Sequence, residues 1–138
     1  MKTHLVILLA VWGLIAGCSG KKEEKPAPAG ISEEIRHILN MDIAHIDLSG
    51  ISDGTYTGSF PFGDTYMYRV SVTVDSGIIT GIEVLENGTE NEYAEKGLGV
   101  IPRIIDKQTP NVDAVSGATV TSKALMKCVE KALAQKKQ

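Results

Sequence analysis

The chain has 138 residues and a formal net charge of −3, room for one domain once an export signal is set aside. With 43% hydrophobic and 22% charged residues it has the composition of a globular protein, which excludes a wholly disordered one. The weak acidic balance offers no basic groove or stripe, so nucleic acid is excluded as a partner.

Met1-Lys2-Thr3-His4 is a short positive start, and Leu5 to Ala16 is an apolar run of 12 residues. A spanning helix needs roughly 20 apolar residues, so the run predicts the core of a signal peptide, residues 1–17. It closes in Leu14-Ile15-Ala16-Gly17-Cys18, which resembles a bacterial lipobox. The resemblance implies that Cys18 becomes the first mature residue and carries lipid on its sulfur. That would anchor the protein in the cell membrane or the outer membrane, facing outside the cytoplasm. Residues 18–30, charged and containing Pro26, Pro28 and Gly30, cannot bury apolar area and read as a flexible tether.

Residues 31–50 read as a short helix and connector, with Ile31, Ile35, Ile38 and Leu39 at helical spacing and Ser32 as the cap. Residues 51–138 then form the main domain. Thr55 to Phe60 is a β-prone stretch between Asp53-Gly54 and Pro61. Tyr68, Val70, Val72 and Val74 alternate with Met67, Arg69, Ser71 and Thr73, which predicts a half-buried strand. Asp75-Ser76-Gly77 turns the chain into a second strand, Ile78 to Glu86, and Asn87-Gly88 ends that hairpin. Gly99 to Gln108 reads as a short helix with Pro102 tolerated in its first turn, and Val112 to Val115 as a short strand. The last helix is placed from about Thr121-Ser122, with Leu125, Cys128, Val129, Ala132 and Leu133 as its buried stripe. The expected fold is α/β in composition and α+β in layout, with three to five antiparallel strands packed by two or three helices.

Between the short strand and the last helix lies Asp113-Ala114-Val115-Ser116-Gly117-Ala118-Thr119-Val120-Thr121. A Gly-containing turn that opens a helix presents free N–H groups to an anion, phosphate above all. The competing reading is ordinary N-capping by Ser and Thr, and spacing alone favours it. Asp113 equally reads as capping its own turn.

The segment Val112 to Ser122 resembles the flavinylation motif of the FMN-binding domain family: Asp, two variable residues, Ser or Thr, then Gly-Ala-Thr. Asp53 to Gly58 resembles the family's opening strand and Ile104 to Thr109 the helix before the motif, so the resemblance runs from about Asp53 to Ala134. It implies FMN held covalently by a phosphoester on Thr119, with Asp113, Ser116, Gly117 and Ala118 around it. An exported flavin transferase that uses FAD and magnesium would attach it, which fits the lack of a His or Lys beside Thr119 in sequence. Gly97-Leu98-Gly99 matches part of a family loop near the flavin, with Glu95-Lys96 where the family has Thr-Pro.

No metal-ligand or catalytic constellation is expected: His37 and His45 stand apart, and Glu90, Glu92 and Glu95 read as a solvated loop face. Six aromatic residues from Tyr56 to Tyr93 are available to wall a flavin ring. The expected function is an electron carrier, not an enzyme with its own substrate turnover, served by redox partners in the membrane or envelope. The competing readings are a non-redox ligand-binding or structural lipoprotein, and a domain holding FMN non-covalently.

Overall fold

The computed structural model describes residues 31–135. The expected signal peptide, Cys18 and the expected tether lie outside the described residues. No helix among the described residues is long and apolar enough to cross a membrane.

Three strands, β1 (Gly54–Phe62), β2 (Tyr66–Asp75) and β3 (Ile78–Asn87), form an antiparallel sheet in the order β1-β2-β3. Helix α1 (Glu33–Asn40) precedes it; α2 (Glu92–Gly97), α3 (Val100–Lys107) and α4 (Thr119–Leu133) follow. This is an α+β fold in which α4 lies across β1 and β2.

The alternation in β2 sets the inner face. Tyr68, Val70, Val72 and Val74 are 0–3% exposed and meet Leu125, Cys128, Val129 and Leu133 of α4. A fully buried aliphatic side chain contributes about 1.5–3 kcal/mol. The exposed Arg69–Glu86 pair across β2 and β3 contributes at most about 1 kcal/mol. Side-chain burial, not charge pairing, therefore holds the register. The β2–β3 turn is a two-residue loop with positive φ at both Ser76 (54°) and Gly77 (75°), the geometry that matches strand twist. Asp53 steadies it by accepting the Ser76 N–H.

Ser32 caps α1 as expected, its Oγ accepting from Ile35 N at 3.3 Å. The segment after α1 is strapped onto α4. Lys123 Nζ donates to the carbonyls of Leu39 and Met41, Lys127 Nζ donates to that of Asp42, and Glu130 accepts from Ala44 N. Ile38, Met41, Ile43 and Leu48 thereby join the core.

Two expectations are corrected. Val112–Val115 is extended but pairs with no strand, because its polar groups are met by side chains. Arg103 donates to the carbonyls of Asp113 and Ala114, and Ser122 Oγ accepts from Val115 N. The acidic stretch around Glu92 and Glu95 is helix α2, capped by Asn91, whose Oδ1 accepts from Ala94 N at 2.9 Å. That makes four α-helices among the described residues, one more than expected.

Cys128 is fully buried, its thiol donating to the Tyr68 carbonyl. Burial pushes this thiol from 9.0 up to about 12, with Lys131 partly offsetting the shift. The folded chain thus holds a proton that the unfolded chain releases above pH 9.0. The expected result is stability fully present below that pH and falling from there towards about 12. Urea melts on either side of pH 9.0 should show the decline, and Cys128→Ala should reduce it.

Candidate functional site

Helix α4 begins at Thr119, earlier than the sequence pattern places it. Its N-cap is Ala118, which has no side-chain acceptor to offer, whereas α1 and α2 are both capped by side chains. A missing cap costs about 1 kcal/mol, so the longest of the described helices keeps an end that no described side chain caps. The first helical bond runs from Ser122 N to Ala118 O at 3.0 Å, leaving the amides of Thr119, Val120 and Thr121 without partners one turn back. Capping by Ser or Thr is therefore not what this turn does. Its hydroxyl at position 122 faces backwards, tying Val115 N to the helix and fixing the loop that leads in.

These amides open onto a pocket of about 580 Å³, within the size range of small-molecule sites. One wall is Gly117 to Thr121; the facing wall includes Phe62, Tyr68 and Tyr93. Phe62 and Tyr68 stand edge to face at 6.1 Å. Tyr68 is buried and fixed, while Tyr93, 56% exposed, lies at the surface. Gly88, with φ 62°, lets the chain leaving β3 cross tightly over the Tyr68 ring. An aromatic wall opposite an uncapped helix end suits a ligand with a flat apolar ring and an anionic group, and FMN has both.

A larger recess of about 890 Å³ adjoins this pocket, sharing Thr89 and Asn91. Glu86, Glu90, Glu92 and Glu95 line it, and their charge disfavours a phosphate there. The smaller, less polar pocket suits a flat ring and an anionic group better.

Of the residues singled out from sequence, Gly117, Ala118 and Thr119 line the pocket together. Thr119 is half-buried, and its hydroxyl has no hydrogen-bond partner among the described residues. Thr121, the other hydroxyl near the mouth, is buried at 6% exposure with its methyl against Gly97. The Ala118 amide is not a free donor, since it already bonds Val115 O at 2.9 Å. Ser116 and Asp113 are exposed and outside the pocket lining; the Asp113 carbonyl is held by Arg103. Gly97 packs behind the pocket wall, and Leu98 sits at the corner between α2 and α3, outside the lining.

Arg103 and Ser122 escaped the sequence reading because each acts on backbone about seven to eleven residues away, which no local pattern reveals. Lys96 was missed for a similar reason. Its ammonium lies over Gly117, so a lysine does stand at the mouth of α4, though distant in sequence. Among the described residues no group of three or more His, Cys, Asp or Glu could hold a metal.

The fold is a small α+β domain whose pocket at the start of α4 has room and chemistry for a flat, anionic ligand. Residues 66–134, half of the chain, match the FMN-binding domain, and the chain belongs to that family. FMN is thus the supported cofactor, and the protein is a flavoprotein. The match begins at β2, while β1 pairs with β2 along its whole length and completes the sheet. A protein of Treponema pallidum (strain Nichols), described only as uncharacterized, is 35% identical over 86 residues. That region is 62% of this chain and 24% of the relative, so the chain spans about a quarter of that protein's length.

Proposed function

We propose that this chain is a lipid-anchored flavoprotein working outside the cytoplasm, with FMN bonded to Thr119, that relays electrons from a membrane donor to an envelope or external acceptor. The observation that carries this reading is Thr119, whose hydroxyl has no partner among the described residues, at the end of α4 without a side-chain cap and in the lining of an aromatic-walled pocket. Bound FMN supplies one- and two-electron chemistry. Phe62, Tyr68 and Tyr93 would flank its ring, and the 119–121 amides would receive its phosphate.

A threonine hydroxyl is a poor nucleophile without a base. Among the described residues the pocket lining contains no Asp, Glu, His, Lys or Cys, which fits a base supplied from outside, as by an exported FAD-dependent transferase. In that transfer Thr119 Oγ forms a bond to the FMN phosphorus of FAD. The pyrophosphate bond to AMP breaks, AMP departs with the bridging oxygen, and the hydroxyl proton passes to the transferase. The same lack of acid and base groups favours a carrier over an enzyme with its own substrate. Attachment at Cys18 would hold the flavin near membrane-bound donors at high local concentration.

The test is co-expression of the exported protein with a flavin transferase, followed by denaturing electrophoresis and intact mass. Flavin fluorescence and the FMN mass should survive denaturation and disappear in Thr119→Ala, while Thr121→Ser keeps them. Cys18→Ala should remove the lipid mass. Fluorescence lost on denaturation would mean non-covalent FMN, and a colourless product a binding or structural lipoprotein.

A further inference from the structure

We propose that Lys96 is the charge partner of the phosphate carried by Thr119, a role that rests on the covalent reading above. Lys96 lies in the last turn of α2, and its side chain reaches across to the loop before α4. Its Nζ is 2.8 Å, and its Cε 3.6 Å, from where a Cβ on Gly117 would sit. Gly117 has φ 79° and no side chain, which leaves that space to the ammonium.

The placement is unfavourable for the protein alone. A helix N-terminus is the positive end of its dipole and repels a cation. A long side chain also gives up rotamer freedom to lie against backbone. Among the described residues the Lys96 ammonium has no ion pair or hydrogen bond in return, although Glu92 stands one turn earlier on the same helix. Lys123 and Lys127, by contrast, each direct their ammonium to main-chain carbonyls. An anion between Lys96 and the amides of residues 119–121 reverses the balance, because both then face negative charge.

The phosphate of FMN is that anion. Transfer leaves a diester with one negative charge on Thr119, with no electrons exchanged and the hydroxyl proton gone to the transferase. Lys96 and the three amides neutralise that charge, and Lys96 attracts the entering phosphate before the Oγ–P bond forms.

The test follows FMN mass gain with time in wild type, Lys96→Arg, Lys96→Gln and Lys96→Glu, using purified transferase, FAD and magnesium. Lys96→Gln should slow attachment about tenfold, Lys96→Glu more, and Lys96→Arg should stay within about threefold of wild type. The ³¹P resonance of the finished diester should move in Lys96→Gln and return towards wild type in Lys96→Arg, a response that a purely structural lysine would not give. Thermal melts of the unmodified Lys96→Gln and Lys96→Glu proteins should lie level with wild type or slightly above it, since the exposed ammonium faces the positive end of α4 with no anion bound. Lys96→Glu modified at the wild-type rate, with an unmoved ³¹P resonance, would overturn the role of Lys96 and leave Thr119 as the attachment point. Wild-type protein that gains no FMN mass would overturn both readings.

Discussion

Gly58→Ala should lower the urea midpoint further than any other single added methyl in this domain, by a loss of about 3 kcal/mol or more. Gly58 pairs with Val70 inside the sheet, where β1 crosses α4. A Cβ there would overlap the Cys128 carbonyl oxygen and lie 2.7 Å from Ala132 N and 2.9 Å from the Cys128 carbonyl carbon. All three are backbone atoms of one helix, so no side chain can rotate away; the helix itself must shift. A shift of α4 loosens the packing of Leu125, Val129 and Leu133 on the sheet in one step. Against a typical total of roughly 5–15 kcal/mol for a domain, that is a large fraction. Gly81→Ala is the control. Gly81 also lies in a strand, but a Cβ there meets nothing within 4 Å, so it should be neutral or slightly stabilising. Equal midpoints for the two variants would contradict the close crossing of β1 and α4.

The same crossing shows what could and could not be read from the residues. The three strands were legible because Tyr68, Val70, Val72 and Val74 keep a strict period of two and Ser76-Gly77 is a hairpin turn. The register of α4 was legible because Leu125, Cys128, Val129, Ala132 and Leu133 share one face. Its start was not, since Thr and Ser before an apolar stripe look like caps while the true N-cap is Ala118. The false strand at Val112–Val115 has a similar cause. Local β-propensity sees an extended segment, but whether it pairs depends on Arg103 and Ser122, which satisfy its backbone first. The site divides the same way. Gly117, Ala118 and Thr119, which line the candidate pocket, are contiguous and stand out in the sequence, whereas the facing wall of Phe62, Tyr68 and Tyr93 is assembled by the sheet and α2. Six aromatics were available, and only the fold selects three of them: Tyr56 and Phe60 point into the core, and Tyr66 lines the neighbouring recess.

The second large effect should appear in the flavin and not chiefly in the fold. Gly97→Ala is expected to cost about 1–3 kcal/mol of stability. It should also reduce the yield of bound flavin by far more than that loss explains. A Cβ at Gly97 would overlap the Thr121 side chain, lying 2.6 Å from its Cβ. Thr121 is buried in the first turn of α4, and turning its side chain would leave the clash with its Cβ in place. Relief has to come from α2 moving off α4. That motion carries Lys96 away from Gly117 and Asn91 away from the pocket it helps to line, opening the site on the side where the phosphate would lie. The prediction is a domain that still melts cooperatively, with lower flavin fluorescence per mole after denaturing electrophoresis. Thr121→Ser removes the methyl closest to the added atom, so the double variant Gly97→Ala/Thr121→Ser should recover part of both losses. That non-additivity is the signature of direct contact. If the double variant instead shows the simple sum of the two single effects, the contact between α2 and the mouth of α4 does not govern the pocket.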